Sequence, residues 1–430
     1  MSDSGKQKPH RPWWTYAVPY VGRMPDLKPR QWHVLGLLSA AELFDNYDVG
    51  LLLLALKQIQ EGIGISEADV GWLTGVIRLG VLPALGITLM ADRIGRRRLL
   101  LGTVLGLTLC TFLTGFAQTP LQFVALQFLV RTFAYAETAL AVVVLTEELN
   151  SEDRGWGIGM LGALGSLGHG VAALAFGFIE VVPFGWRGLY ALGVVPLLFL
   201  AWLRRELPET RRFESHQNEH AAGSWWQPAV LLVRSYPRRI AALSAVVLPL
   251  EFVMMTGYTF APKSLQEIHG YGPGAISVLY LLGGAIGIMG SLFAGRMSDR
   301  FGRRAVVVAG VILAFVSFGG FYNVRGSWVV IPFWIFQVFA LIGLGATLKT
   351  LGTELFPTSH RSTASGVRAA IGTLGGVAGL ALESVLYGIT GSHAQAITWM
   401  LPVLAIPPLV VWFAIPETAG RSLEEISPER

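Results

Sequence analysis

Charged residues are scarce in this chain. Asp, Glu, Lys and Arg make up only 14% of its 430 residues and hydrophobic residues make up 53%, whereas soluble globular proteins carry roughly 25% charged residues. The one cysteine, Cys110, excludes an internal disulfide framework and a thiolate metal cluster. The N-terminal region has no apolar core followed by a small-residue cleavage site, so we expect no signal peptide. This composition predicts a membrane protein.

Motifs for enzyme chemistry are also missing. The sequence has no Gly-rich loop followed by Lys-Ser/Thr, no metal-spaced histidine cluster and no nucleophile triad. We therefore expect no catalytic residues, no metal site, no cofactor and no nucleic-acid partner. Without a nucleotide-binding domain the chain is not expected to be a primary pump either.

Long apolar stretches are abundant instead. A spanning helix needs about 20 mostly apolar residues, and twelve stretches qualify: 32–57, 69–91, 98–117, 120–146, 156–181, 186–204, 239–262, 273–296, 304–322, 327–351, 364–389 and 395–415. Alternate connections are rich in arginine, whereas the first of the opposite connections reads "QEGIGISEAD". The positive-inside rule then predicts that both termini and the longest connection, 205–238, are cytoplasmic. The setting we expect is the bacterial inner membrane.

The two halves of the sequence repeat each other. "ADRIGRRRLLL" returns as "SDRFGRRAVVV", so that Asp92 corresponds to Asp299, 207 positions later. "TEELNSEDR" returns as "TELFPTSHR" at the same offset, and "LPET" returns as "IPET" at an offset of 208. An even number of spans in each half gives both halves the same orientation. The repeat predicts an all-α membrane protein with two parallel six-helix repeats around a central cavity.

The repeat also sets the expected domain boundaries. We expect a cytoplasmic or interfacial N-terminal segment (1–31), a first six-helix bundle (32–204), a cytoplasmic linker (205–238), a second six-helix bundle (239–415) and a cytoplasmic tail (416–430).

These motifs resemble those of the major facilitator superfamily. "GRMSDRFGRR" fits the superfamily's Gly-x-x-x-Asp-Arg-x-Gly-Arg-Arg loop fully, whereas "TLMADRIGRR" has Thr88 in place of the leading glycine. The resemblance implies a solute transporter that works as a monomer by alternating access, in which this loop controls the conformational change. The gating residues it implies are Asp92, Arg93, Gly95, Arg96, Glu148 and Arg154 in the first half and Asp299, Arg300, Gly302, Arg303, Glu354 and Arg361 in the second.

Several ionisable residues fall near the middle of predicted spans, where a charge costs about 2.5–3.5 kcal/mol and needs a partner or a function. Asp45 and Asp48 share a helix face, and two close carboxylates resist simultaneous ionisation. We therefore predict proton coupling at Asp45, Asp48 or Glu137, with an arginine that binds a substrate carboxylate. The predicted substrate-binding residues are Arg131, Arg78, Glu251, Tyr258 and Tyr47.

Four other polar residues have a less defined role. Glu42 is expected to be structural, and His169 to be either a proton relay or a hydrogen-bonded interhelical histidine. Lys349 and Arg368 are placed near the cytoplasmic ends of their spans, as gate pairs or as side chains that extend to the headgroups.

The substrate class is open at this point. "DNYD" in the first span is similar to the Asp-Gly-x-Asp of aromatic-acid/proton symporters, and an arginine in the fourth span fits that branch. The glutamine signatures of sugar porters and the span-5 proline of drug/proton antiporters are missing. An organic acid symporter is therefore favoured, with a sugar or polyol symporter, an organic-cation or drug antiporter and a transport-inactive receptor as alternatives. The excess of carboxylates over arginines in the predicted cluster argues for a cation or a neutral solute.

Overall fold

The computed structural model describes residues 24–90, 94–150, 152–203, 227–357 and 360–419. The gating candidates Asp92 and Arg93 lie outside these ranges, as does most of the three segments predicted at the two termini and between the halves.

In the described ranges, twelve helical spans follow one another, numbered here in chain order. Spans 1 to 6 are Pro29–Leu54, Glu67–Thr88, Arg96–Thr114, Pro120–Glu148, Arg154–Gly177 and Trp186–Leu203. Spans 7 to 12 are Pro237–Glu267, Pro273–Phe301, Arg303–Asn323, Val330–Glu354, Arg361–Thr390 and His393–Ala414. A short helix, Leu56–Ile63, extends span 1, and another, Gln227–Ser235, precedes span 7. The predicted twelve-helix architecture is confirmed, and each span ends within a few residues of its predicted bounds.

Ten of these helices in the described ranges are long and apolar enough to cross a membrane. Span 6 is slightly too short for that criterion. Span 1 is long enough, but any part of it that could cross a membrane contains at least three charged residues. Most of these charges are Glu42, Asp45 and Asp48. Two of the three predicted proton carriers, Asp45 and Asp48, thus lie in a span that is less apolar than these ten.

Helix packing follows the sequence repeat. Span 1 packs along span 5 and span 3 along span 4, and the equivalent pairs 7 with 11 and 9 with 10 pack in the second half. The two halves meet where span 2 packs on span 11 and span 5 on span 8. Small residues allow these close approaches. For example, Gly168 of span 5 lies directly against the backbone carbonyl of Leu43 in span 1.

Span 2 is broken in its middle. Its two helical parts, Val70–Arg78 and Val81–Leu89, are joined by a turn at Leu79 and Gly80. Pro83 has no N–H to donate to the carbonyl of Leu79, which explains the break. The hydroxyl of Thr132 in span 4 donates to the carbonyl of Gly80 over 2.9 Å. The break therefore places Arg78 at the end of a short helix, beside span 4.

Candidate functional site

A buried arginine lies at the centre of the bundle. Arg131, in span 4, is 9% exposed, and Asp48 of span 1, within electrostatic range of it, is 3% exposed. The hydroxyl of Thr111 in span 3 donates to Oδ1 of Asp48 over 3.3 Å, and the side chain of Gln127 lies beside the same carboxylate. Asp48 is thus surrounded by neutral donors, and Arg131 is its charged neighbour.

Arg78 carries this cluster into the second half of the molecule. Its guanidinium lies against Gly376 of span 11, and it interacts electrostatically with both Arg131 and Glu251. Glu251, in span 7, packs its side chain on Gly372 of span 11. A basic group of the first half therefore meets an acidic group of the second half at the interface.

Two further basic groups, Lys349 and Arg368, face Glu251. The sequence placed them near the ends of their spans. Span 10 continues to Glu354 and span 11 begins at Arg361, so both groups lie more than one turn inside. The Lys349 side chain is exposed although it lies beside Glu251 and Arg368. Water therefore reaches this side of the cluster.

We call these six residues the central charge cluster: Asp48, Arg78, Arg131, Glu251, Lys349 and Arg368. Four are basic and two are acidic, and basic groups still predominate if Asp45 is added. The sequence-based expectation of excess carboxylate counted Asp45 and Glu137 and left out Lys349 and Arg368, and it stays a prediction. A site with more basic than acidic groups favours an anion.

The other predicted carboxylates occupy different surroundings. Asp45 is buried, one helical turn from Asp48. Glu137 is buried beside span 3, where the hydroxyl of Thr103 donates to its Oε2 over 2.7 Å. Glu42 accepts a hydrogen bond of 2.8 Å from the hydroxyl of Thr138. Their proposed roles, proton coupling for Asp45 and Glu137 and a structural one for Glu42, stay predictions.

The aromatic candidates pack within their own halves. The hydroxyl of Tyr47 donates to the carbonyl of Leu189 over 2.8 Å, and its ring lies against Gly193 of span 6. Tyr258, in span 7, lies nearly parallel to Trp334 with 6.0 Å between the ring centroids. The structure does not bring Tyr47 and Tyr258 together, and their substrate-binding role stays a prediction.

His169 lies across from Gly50 of span 1 and within electrostatic range of Arg131. This position places it at the edge of the central charge cluster. Its role as a relay or as an interhelical contact stays open.

The predicted gating residues of the second half form a network where spans 8, 9 and 10 end or begin. The guanidinium of Arg303 contacts Oδ1 of Asp299 at 2.5 Å and Oε1 of Glu354 at 3.1 Å. The hydroxyl of Thr418 donates to Oε2 of Glu354 over 2.6 Å. Arg300 lies over the ring of Phe301.

The first half has an equivalent ion pair at the same end. Arg96 contacts Oε1 of Glu147 at 3.1 Å, and the offset of 207 relates this pair to Arg303 and Glu354. The predicted Glu148 instead contacts Arg30 at 3.0 Å. We call the end of the bundle with these pairs the arginine end. Each of the ion pairs just described at this end lies within one half.

The remaining gating candidates mark helix starts at this end. Gly95 and Gly302 precede spans 3 and 9 with φ angles of 101° and 96°, a left-handed conformation that disfavours residues with a side chain. This backbone explains the glycine in both copies of the loop motif. Arg154 and Arg361 are the first residues of spans 5 and 11.

The opposite end carries a polar cluster that sequence reasoning missed. We call it the clasp: Glu67 of span 2, Lys263 of span 7, Glu383 of span 11 and His393 of span 12. Lys263 and His393 both contact Oε2 of Glu67, the latter through Nε2 at 2.9 Å. Nearby, the amide of Gln58 donates to Oε1 of Gln266 over 2.6 Å. These contacts join the two halves, so the molecule is closed at the clasp end. The available sequence signal was Glu383 inside the predicted span 11, whereas Lys263 lies one residue past the predicted end of span 7.

Comparisons with known proteins agree with this architecture. A family model described as the Major Facilitator Superfamily matches residues 38–380 and 252–428. The chain is 25% identical over 367 residues to the putative niacin/nicotinamide transporter NiaP of Bacillus subtilis, covering 85% of this chain and 90% of that protein. It is 26% identical over 392 residues to the probable 4-methylmuconolactone transporter of Cupriavidus pinatubonensis, covering 89% and 90%.

A solved structure shows the same fold. The crystal structure of a D-xylose-proton symporter matches with a TM-score of 0.75 over 91% of this chain and 99% of that chain, at 16% sequence identity. The family match and these relatives agree with the twelve spans and the repeated loop motif. The chain belongs to the Major Facilitator Superfamily and is an integral membrane transporter, not an enzyme.

Proposed function

We propose that this chain is a secondary active transporter that carries a small organic acid anion, most readily an aromatic one, together with protons by alternating access. The observation behind this proposal is the charge of the central charge cluster, in which four basic groups face two acidic ones. A substrate carboxylate would supply the missing negative charge. Arg131 suits this role because a guanidinium stays ionised and binds a carboxylate through two parallel hydrogen bonds.

Competition for Arg131 would couple the two ligands. With Asp48 ionised, Arg131 already has an acidic neighbour. Protonation of Asp48 removes that charge, so the guanidinium becomes available to the substrate carboxylate. Proton and anion then bind together, and their opposite charges leave the net charge of the site unchanged. Asp45, and Glu137 further along span 4, are the other proposed proton carriers.

The names of the two relatives support this class of substrate. Both name small ring compounds, and niacin is an aromatic carboxylic acid. At about 25% identity, these relatives support a class of compound and do not identify one.

The arrangement in the membrane is also part of the proposal. Arginines concentrate at the arginine end, so the positive-inside rule places that end and both termini in the cytoplasm. The bundles 32–204 and 239–415 would move against each other as two bodies around the cluster, in a monomer in the bacterial inner membrane.

Uptake into proteoliposomes tests the proposal. The purified protein is first screened by thermal shift against organic acids, sugars and organic cations, because a ligand that binds the folded state stabilises it. Uptake of the stabilising compound is then measured with and without an inward proton gradient. We expect an organic acid to accumulate only with the gradient, and Asp48→Asn to abolish accumulation while it preserves exchange of the acid between the two sides.

Asp45→Asn is the matched comparison, since it removes the other carboxylate on the same helix face. Accumulation that is normal in both variants would reject proton coupling at this pair. Stabilisation by sugars or cations alone would favour the symporter or antiporter alternative, and binding without any exchange in sealed vesicles would favour a receptor.

A further inference from the structure

The clasp joins helices from both halves through one histidine ring. Nδ1 of His393 contacts Oε1 of Glu383 at 2.6 Å, and Nε2 contacts Oε2 of Glu67 at 2.9 Å. Glu383 belongs to the same half as the histidine, whereas Glu67 belongs to the other half. Of the two histidine contacts, the one with Glu67 therefore breaks when the clasp opens, as do the contacts of Lys263 with Glu67 and Gln60.

The ring is fixed in this position. Phe260 and Tyr387 lie on its two faces, with centroid distances of 4.5 Å and 4.3 Å. Glu383 is completely buried and His393 nearly so. Two aromatic faces also favour a positively charged ring between them.

Counting hydrogens at the two contacts shows that the closed clasp needs an added proton. An ionised carboxylate only accepts hydrogen bonds, and a neutral imidazole has a single N–H. Two contacts between ring nitrogens and carboxylates need two hydrogens. The closed arrangement therefore requires either an imidazolium or a protonated carboxyl group. Once Glu67 moves away, one contact remains, and the single N–H of neutral His393 is sufficient for it.

We propose that the clasp is a proton-binding site, and that closing this end of the transporter takes up one proton at His393, Glu67 or Glu383. Protons then favour the closed clasp, and a rise in pH favours its opening. With the arginine end in the cytoplasm, this proton comes from the external side. The proposal does not depend on which solute is carried.

The other polar groups around the ring do not supply the missing hydrogen. Lys263 directs its ammonium group to Glu67 and Gln60, and to Glu267 at 3.7 Å. In the part of the chain that the structure describes, other titratable groups near these residues are Lys57 and Glu61 on the extension of span 1, Asp69 on span 2, Tyr387 on span 11 and Tyr322 on span 9. The hydroxyl of Tyr322 donates to the carbonyl of Gly257.

Backbone packing brings the two halves close enough for these contacts. A methyl group at Gly71 of span 2 would lie within 3 Å of the Leu380 carbonyl, Oε2 of Glu383 and the hydroxyl of Ser384. The backbone N–H of Trp72 donates to the same hydroxyl over 2.7 Å. The absence of a side chain at Gly71 lets span 2 reach Glu383 and its neighbours.

Spin-label distance measurements across the clasp end test this inference without any substrate. Labels are placed at Gln118→Cys and Trp328→Cys, which are exposed positions in opposite halves, in a Cys110→Ser background in nanodiscs. The open and closed populations are measured from pH 5.5 to 8.5. For one proton, we expect the ratio of closed to open forms to fall by up to about tenfold per pH unit as pH rises.

Glu383→Gln is the decisive variant. Its amide donates to Nδ1, which leaves the N–H of a neutral ring for Glu67, so both contacts form without an added proton. We expect this variant to stay closed at every pH. His393→Gln should also lose the pH dependence and should be more open. Glu61→Gln removes an exposed carboxylate nearby and should behave as the unmodified protein.

A constant ratio in the unmodified protein across this range overturns the proposal. So does a Glu383→Gln variant that retains the full pH dependence. If Glu383→Gln does not fold, an unchanged pH dependence in His393→Gln has the same consequence. Failure to find an acid substrate would leave these distances unaffected, so the two proposals can fail separately.

Discussion

At the scale of a single residue, Arg131 is notable because a charged side chain inside a membrane is energetically unfavourable. A guanidinium at membrane depth costs about 2.5–3.5 kcal/mol on insertion scales unless it is compensated. Asp48 compensates part of this charge, whereas Arg78 repels it. This cost makes a purely structural role for Arg131 unfavourable. We therefore propose that Arg131 is one side of a binding site whose other partner, the substrate, is bound for only part of the transport cycle.

Arg131→Lys tests the geometry of that binding site at the residue scale. The charge is kept, but an ammonium group cannot form two parallel hydrogen bonds with a carboxylate. We expect the Kd of the acid found in the screen to rise about 10- to 100-fold, which corresponds to about 1.4–2.8 kcal/mol. Isothermal titration calorimetry measures this change.

Arg187→Lys is the matched control for this substitution. Arg187 donates to the carbonyl of Ala117 over 2.8 Å and lies over the ring of Trp186, away from the cluster. The same exchange there should leave Kd unchanged. A change of twofold or less at Arg131 would mean that Arg131 is structural.

At the scale of an element, the start of span 9 shows how a short motif anchors the chain. Oε1 of Glu417 accepts the backbone N–H of Arg303 at 2.8 Å, and Oε2 accepts that of Arg304 at 3.1 Å. The N–H groups of Thr418 and Ala419 also donate to this carboxylate. Glu417 thus supplies acceptors for N–H groups that have no partner within the helix, and it does so with a favourable charge.

These contacts give the anchor a pH dependence. Burial alone would raise the pKa of Glu417, but the backbone donors at Ala419, Arg303, Arg304 and Thr418 outweigh it and lower the pKa below its usual value of 4.5. A carboxyl group whose pKa is lower in the folded state stabilises that state above its unfolded pKa. The stabilisation is lost as pH falls through the folded pKa.

We therefore expect Glu417→Gln to reduce the free energy of unfolding at neutral pH by about 1 kcal/mol, as for the loss of a helix cap. Thermal unfolding in detergent at a series of pH values measures it. The difference from the unmodified protein should shrink as pH falls below 4. Glu61→Gln, at an exposed pair with Lys57, should have little effect, and a difference for Glu417→Gln that grows in acid would contradict the assignment.

The spans themselves could be read from the sequence because hydrophobic length and arginine-rich loops are local signals. The end points of the spans were less certain, and this changed which residues were assigned to the central charge cluster and to the gating pairs. A span that ends three residues later, at Glu354, moves Lys349 from the boundary into the cluster. A shift of one residue in the repeat distinguishes Glu147 from Glu148, and adjacent helical residues point about 100° apart.

The clasp could not be derived from sequence patterns at all. His393 and Glu67 are 326 positions apart, and no spacing rule connects residues of two different halves. Glu383 is a charge inside the predicted span 11, and this signal could have marked it as a candidate, whereas Lys263 lies one residue past the predicted end of span 7. Their common partner became visible only once the halves were placed together.

At the scale of the whole molecule, the described contacts differ between the two ends. The ion pairs of the arginine end, Arg96 with Glu147 and Arg303 with Glu354, stabilise each half separately. The contacts of the clasp end cross between halves. Alternating access requires these cross-half contacts to break in every cycle, while the contacts inside each half persist.

A reversible crosslink at the clasp end tests this requirement. Gln58 and Gln266 are in side-chain contact across the halves, so Gln58→Cys and Gln266→Cys in a Cys110→Ser background should be joined by a bifunctional thiol reagent whose spacer contains a reducible disulfide. We expect the crosslinked protein to lose roughly nine-tenths of its uptake rate, because a closed clasp end stops the cycle. Reduction should restore uptake, which excludes unfolding as the cause.

A crosslink within one half provides the control. Asn323 and Thr398 are in side-chain contact at 2.9 Å and both belong to the second half, so the same reagent between Asn323→Cys and Thr398→Cys joins parts that we propose to move together. This crosslink should leave uptake nearly unchanged. Normal uptake in the crosslinked Gln58/Gln266 variant would show that the halves do not separate here, whereas inhibition by both crosslinks would show that the second half does not move as one body.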